Sequence, residues 1–226
     1  MKITKHAQSC FLIESDRGSR ILIDPGEYVF GLKETLTPDD FKNVDILIIT
    51  HEHSDHFDIP NIKKIVEAKK SIQIFSTEAL VEEIGREIGA KSEALEKVDK
   101  RGGLGSGKDI TLTGVPSEHG PLPSGDKPPK VCGVLIEEEG GPSFYDPGDS
   151  IVLNSNADII ATPICGKVVL NIGQAKEQLT KLNPKVAIPI HYDNPVYPVD
   201  VTDFIEAMSG TGIDVRVLKD GETLEV

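Results

Sequence analysis

Val44-Asp45-Ile46-Leu47-Ile48-Ile49-Thr50, followed at once by His51-Glu52-His53-Ser54-Asp55-His56, is the stretch on which the reading of this chain turns. The first seven residues are a nearly continuous β-branched and aliphatic run, the pattern of a central strand covered on both faces. The next six hold three of the chain's six histidines and an aspartate, and nothing in core packing asks for that. In a turn, imidazoles at i and i+2 can converge on one cation, while Asp55 and His56 fall on the other side and serve a second. Imidazole with carboxylate is a zinc-type donor set, with iron or manganese as alternatives. The plain competing reading is a solvated polar turn.

Strand and turn signals recur on both sides of this stretch. Ser9–Glu14 and Arg20–Ile23 read as two strands joined by the polar turn Asp16-Arg17-Gly18-Ser19. Pro60 in a first turn, with Ile62, Ile65 and Val66 at helical spacing, predicts a helix from Ile59 to Lys70. Ser71–Phe75 reads as a strand, and Ser76 or Thr77 as the cap of a helix that turns Leu80, Val81, Ile84 and Ile88 inward. Ala157–Pro163 and Lys185–Ile190 read as strands around a helix from Gly173 to Leu182, closed by Asn183-Pro184. A helix around Phe204–Met208, a strand Val215–Leu218, an Asp220-Gly221 turn and a short strand complete the pattern. Strands separated by helices imply an α/β layered fold. No linker stands out, so residues 1–226 read as one domain.

A weak repeat runs through this pattern. Cys10-Phe11-Leu12-Ile13-Glu14 leads fourteen residues on to Asp24-Pro25-Gly26, and Cys132-Gly133-Val134-Leu135-Ile136-Glu137 leads fourteen residues on to Asp146-Pro147-Gly148. Two similar half-domains facing each other would leave such a trace; chance recurrence of apolar strands and D-P-G turns is the alternative.

The 226 residues carry 24 Lys and Arg against 37 Asp and Glu, a net charge of −13. That balance repels a phosphate backbone and argues against a nucleic-acid partner. No apolar run approaches the roughly 18 residues of a membrane span, so no membrane partner and a cytoplasmic location are expected. Cys10, Cys132 and Cys165 have no C-x-x-C spacing and cannot all pair within one chain, which predicts buried, reduced thiols. Gly102-Gly103-Leu104-Gly105-Ser106-Gly107-Lys108-Asp109 comes near a phosphate-cradling loop. Asp109 replaces its magnesium-binding hydroxyl, however, and no helix opens after it, so it reads as a turn.

Two further histidines follow strand-like runs: His119 after Ile110–Pro116, and His191 after Pro189-Ile190. With these in place the chain resembles the metallo-β-lactamase superfamily, in the branch of metal-dependent hydrolases that includes ascorbate-6-phosphate lactonases. The resemblance rests on His51-x-His53-x-Asp55-His56, His119, Gly148-Asp149-Ser150 and Ile188-Pro189-Ile190-His191-Tyr192, in the family's order across most of the chain. It implies an αββα sandwich of two facing mixed sheets flanked by helices, with two divalent metal ions at one edge, zinc first and manganese or iron as alternatives. By this resemblance His51, His53 and His119 hold one ion, Asp55, His56 and His191 the other, and Asp149 bridges them. The repeat offers Asp146 as a rival bridge, but the glycine before Asp149 favours Asp149 by letting the backbone approach the metals. Asp24 looks like the family's aspartate behind the ligands, with a plain turn residue as the alternative. One departure is visible: relatives carry a histidine where Gln8 stands, and His6 is not its substitute.

The expected chemistry is hydrolysis of a small ester, lactone or phosphoester by a metal-bridging hydroxide, since two cations bring the pKa of a shared water toward about 7. Asp55 would orient it and shuttle its proton. An iron-dependent redox member of the fold, or a metal-stabilised binding or regulatory protein without turnover, are the competing readings. The substrate is then a small molecule selected by loops Glu27–Asn43, with Tyr28 and Phe30, and Gly120–Lys130. Lys127 and Lys130 would suit an anionic substrate, though solvated surface lysines are the simpler reading. A homo-oligomer is compatible with all of this.

Overall fold

The computed structural model describes residues 1–31 and 36–226, and of residues 99–103 the backbone course only. The loop Glu27–Asn43 therefore lies partly outside the described residues, as do details of Gly102 and Gly103.

Two facing sheets form the centre. One contains, in spatial order, β14 (Thr223–Glu225), β1 (Lys2–Lys5), β2 (Phe11–Glu14), β3 (Arg20–Ile23), β4 (Ile46–Ile49), β5 (Gln73–Ser76) and β6 (Glu93–Ala94). The other runs β13 (Asp214–Val215), β12 (Val186–Ile190), β11 (Ile159–Pro163), β10 (Ser143–Asp146), β9 (Cys132–Glu138), β8 (Ile110–Pro116) and β7 (Asp99–Leu104). Helices α1 (Ile59–Ala68) and α2 (Val81–Glu83, widening into a π-type turn over Ile84–Ile88) flank the first sheet; α3 (Ile172–Leu182) and α4 (Val201–Met208) flank the second.

Side-chain alternation explains the layers. Along β3 and β4, Ile21, Ile23, Ile46 and Ile48 join Val134, Ile136, Ile159 and Ile188 in the core between the sheets. Leu22, Leu47 and Ile49 point the other way, onto Ile62 and Ile65 of α1 and Ile84 beyond α2. On the far side Tyr145, Ile160 and Ala187 meet Ala175, Leu179, Phe204 and Met208 of α3 and α4. A strand buried on both faces needs an unbroken apolar run, which is what 46–49 supplies. Truncating Leu47 to Ala would cost about 2–5 kcal/mol by cavity formation.

The repeat is visible as topology. Neighbouring strands from β1 to β6 pair antiparallel, antiparallel, then parallel three times, and β8 to β13 do the same. The strands β3, β4, β8, β10 and β12 consequently end at one edge, where ligands collect in open α/β sheets.

Some local expectations need correction. Neither Ser76 nor Thr77 caps α2: Ser76 is the last residue of β5, and Leu80 occupies the cap with no side-chain hydrogen bond. Val81 is only partly buried, whereas Leu80, Ile84 and Ile88 pack inward as expected. The strand anticipated at 215–218 stops at Val215, because Leu218 turns into the core between the sheets. The other helices keep their signals. Asp58 accepts Asn61 N at 3.2 Å at the head of α1, and Asn183, at φ 51°, closes α3.

The glycine-rich stretch is a strap at the opposite end from the clustered strand termini. Gly107 N donates to Ser19 Oγ at 2.9 Å, and Ser19 Oγ donates to Asp109 Oδ1 at 2.6 Å, tying the loop to the β2–β3 turn. The three cysteines are buried and none forms a disulfide. Among the described residues no helix is long and apolar enough to cross a membrane.

Candidate metal centre

Five of the six histidines arrive at the shared strand edge; the sixth, His6, packs edge-on against Phe41 with ring centroids 5.7 Å apart. Beyond β4 the chain turns back sharply, His56 N and Phe57 N both donating to His53 O at 2.9 and 2.8 Å. Gly26 and Gly148, the last residues of the two D-P-G turns, admit this segment. A Cβ on Gly26 would fall 1.9 Å from Asp55 O, and one on Gly148, at φ +61°, would fall 2.9 Å from Thr50 Cβ and from Val131 Cγ2. The glycine before Asp149 thus makes room for Thr50 and Val131, where the sequence suggested room for metal.

Asp149, buried in the turn after β10, divides its carboxylate between two sets of rings. Its Oδ2 lies 3.9 Å from His51 Nε2 and 3.8 Å from His119 Nε2, and His53 Nδ1 is 3.1 Å from His51 Nε2. Its Oδ1 lies 2.7 Å from His191 Nε2 and 3.2 Å from His56 Nε2, and Asp55 Oδ2 is 3.9 Å from His56 Nε2. Two ligands of one tetrahedral ion, each at about 2.1 Å, stand about 3.4 Å apart. Donor atoms of His51, His53, His119 and Asp149 all lie within 4.8 Å of one another, and so do those of Asp55, His56 and His191. The donor set fits a metal on a further ground: His56, His119 and His191 Nε2 and Asp149 Oδ1 are buried without a well-formed hydrogen bond. Buried lone pairs of that kind are costly unless a cation takes them.

Residues 2–191 match the beta-lactamase superfamily domain. The chain belongs to the metallo-β-lactamase superfamily. Within it, the chain is similar to a UPF0173 metal-dependent hydrolase of Pyrococcus furiosus, 28% identical over 240 residues with 100% of both chains covered. A second UPF0173 protein of that organism is 30% identical over 203 residues, covering 85% of this chain and 83% of the relative. By the name of the first of these relatives the family is one of metal-dependent hydrolases. Igni18, a metallo hydrolase from Ignicoccus hospitalis, shares the fold with a TM-score of 0.77 at 23% identity, covering 99% of this chain and 97% of that one.

Behind the rings of this metallo-β-lactamase superfamily member lies an orienting network. Asp24 accepts Thr50 N on Oδ1 at 2.7 Å, and Thr50 Oγ1 and His56 Nδ1 on Oδ2 at 2.5 and 2.8 Å. Having given its proton to Asp24, the Thr50 hydroxyl can only accept from His51 Nδ1, at 3.1 Å. His119 donates Nδ1 to Gly120 O at 2.7 Å. These bonds assign the neutral tautomers of His51, His56 and His119 alike, each with its Nε2 as the atom a cation would take. Thr50 and Ser9, whose Oγ lies 3.2 Å from His56 Nδ1, are members of the site that the sequence reading missed. Thr50 adjoins the histidine motif, but nothing local marks its hydroxyl as a relay. Asp146 joins neither set. Its Oδ1 accepts Gly148 N at 2.9 Å, its Oδ2 is buried without a partner, and burial with the charge of Asp24 pushes its carboxyl up to about 7.

The two sets differ electrostatically. Burial, then the charge of His56, holds His51 well below the ordinary imidazole value, and burial with His56 and His119 lowers His53. Burial opposes charge on His56 too, but Asp149, Asp55 and Asp24 outweigh it and hold His56 well above that value. His191 is raised against its burial by Asp149. Asp149, which burial would raise, is drawn well below the usual carboxylate range by His191 and His56. A cation entering the second set therefore exchanges with protons. His53 and Asp55 are the partly exposed members of the site, so access is from their side. There the Tyr28 phenol is pushed up by burial and by the charges of Asp55, Glu27 and Asp193. Gln8 reaches the same place, Nε2 donating to Asp55 Oδ2 at 3.3 Å. In the loop after His119, Lys127 and Lys130 are exposed.

Proposed function

We propose that this hydrolase is binuclear, with two divalent ions, zinc before manganese or iron, that Asp149 would hold in common, and that it cleaves a small ester, lactone or phosphoester. The observation that carries the reading is the division of Asp149, one oxygen toward His51 and His119 and the other toward His56 and His191. His51, His53 and His119 would hold one ion, Asp55, His56 and His191 the other. Bound there, the ions would supply Lewis acidity toward the substrate oxygen and bring a water's pKa toward about 7.

The chain's own residues do the rest. Buried His51, His56, His119 and His191 close the floor of the site to bulk water, which strengthens every charge interaction above it. Asp55, partly exposed, faces the incoming water, orients it and accepts its proton. Replacing Asp55 with Asn should nearly abolish turnover while some metal stays bound; full activity in that variant would refute the role.

Substrate choice falls to the loops that border the partly exposed side. Tyr28 stands beside Asp55, and Gly120–Lys130 follows His119 directly with four prolines to stiffen it. Deleting residues 121–129 should shift preference among substrates more than it changes metal content, as read by parallel kinetics and metal analysis. The deciding experiment for the whole reading is metal quantification alongside turnover of p-nitrophenyl esters, phosphodiesters and lactones. Two equivalents of zinc or manganese with turnover are expected. Iron with oxygen consumption, or tightly held metal without any turnover, would overturn it.

A further inference from the structure

We propose that Gln8 is a positioning residue for Asp55, fixing the carboxylate oxygen that faces His56. The inference rests on the binuclear reading above. Three independent features of Gln8 point the same way. Its backbone is left-handed, at φ 63°, a conformation that a long L side chain rarely adopts. The residue is fully buried, 0% exposed, although glutamine is a predominantly surface residue. Its amide is only half satisfied: Nε2 donates to Asp55 Oδ2 at 3.3 Å, while Oε1 is buried without a partner.

Strain, burial of an amide and an orphaned acceptor each work against stability, and none is returned by packing that a leucine could not supply. What leucine could not supply is the N–H. A carboxamide nitrogen can only donate, so it meets Asp55 Oδ2 as an acceptor. The oxygen it holds, Oδ2, is the one 3.9 Å from His56 Nε2. A carboxylate oxygen has a second lone pair, so the Gln8 bond leaves one free to point at the ion shared with His56 and His191. Asp55 is partly exposed, and without this anchor its side chain could rotate toward solvent. Support of a ligand by a neighbour of this kind typically governs 10–100-fold of metal affinity or activity.

The test is zinc titration of the full chain against a competing chelator, with steady-state kinetics on the best substrate found. In Gln8→Met, of similar size but without the donor, the second zinc equivalent should weaken by about 10–100-fold and the first stay unchanged. The kcat should fall by a similar factor with KM within about two-fold. Gln8→His tolerates the left-handed backbone and restores an N–H, and it should recover most of both losses. Gln8→Gly, which takes φ 63° without strain, should fold and melt as a metal-free protein yet show the same weak second site, which guards against misfolding of Gln8→Met. Undiminished second-site affinity and kcat in Gln8→Met and Gln8→Gly, or a Gln8→His variant as weak as Gln8→Met, would overturn the proposal alone. An Asp55→Ala variant that still binds both ions tightly would remove Asp55 as a ligand and overturn the proposal alone, whereas wild-type protein that takes up fewer than two zinc ions would sink the binuclear reading and the proposal with it.

Discussion

Asp24 and Asp146 occupy equivalent places in two halves of matching strand order. Each ends or follows the third strand of its half, each precedes Pro-Gly, and both are fully buried. Their surroundings differ. Asp24 receives three donors, two from Thr50 and one from His56. Asp146 receives one, from Gly148 N, and is pushed up to about 7. The frame is repeated, but the loop after β4 folds back onto only one of the two carboxylates. Chemistry on this fold therefore lives in what the loops bring to the frame.

Substitutions on either side test that contrast. The largest effect is expected at Asp24. Asp24→Asn sets an NH2 group against the Thr50 and His56 donors, leaving at least one of them buried and unpaired at a cost of about 1–3 kcal/mol. Metal affinity and turnover should fall by about 10–100-fold, read by chelator competition and kinetics. Parent-level metal binding would mean that Asp24 is only a turn residue. Thr50→Val, next in size, keeps the backbone bond to Asp24 but removes the acceptor for His51 Nδ1. A loss of about 1 kcal/mol in unfolding free energy and a drop near ten-fold in turnover are expected; unchanged kinetics would remove the relay.

Asp146→Asn should leave turnover within about two-fold and act on stability instead. A carboxyl at about 7 in the folded chain and at its ordinary 3.8 when unfolded binds more protons folded between those values, so wild-type stability falls as pH rises from about 4 to about 7. The full loss is up to about 4 kcal/mol at 1.36 kcal/mol per unit. In metal-free protein the Asn variant should lack that slope and exceed the wild type above pH 7 in chemical denaturation. A parallel pH dependence in the two proteins would show that Asp146 is ionised at neutral pH, as Asp24's counterpart rather than its opposite.

Much of this was legible in the sequence because it is written at short range. The apolar run at 44–50 fixes a doubly covered strand, and the histidines packed behind it announce a cation site. Alternation and helical spacing locate α1, α3 and α4 for the same reason. The signals fade where partners are distant in sequence. Lys2–Lys5 forms β1 because β2 and β14 bracket it, and Lys5 is buried with its Nζ on Asp220 at 2.8 Å, so its pattern looks polar. Gln8 meets Asp55 across the fold, and no local motif marks a glutamine as a partner. The α2 cap failed because β5 extends through Ser76, where tertiary pairing outweighs capping preference.

Each half of the chain lends its closing strand to the other. The strand β7 finishes the first half but pairs with β8 in the second sheet, while β14 finishes the second and pairs with β1 in the first. During synthesis, at about 5–20 residues per second, the outer edge of β1 waits roughly 10–40 s for its neighbour to be translated. For that interval it is an open template for any passing chain. Two fragments cut between β7 and β8 would each lack a strand that only the other possesses, and so should reassemble as a pair sooner than either would survive by itself.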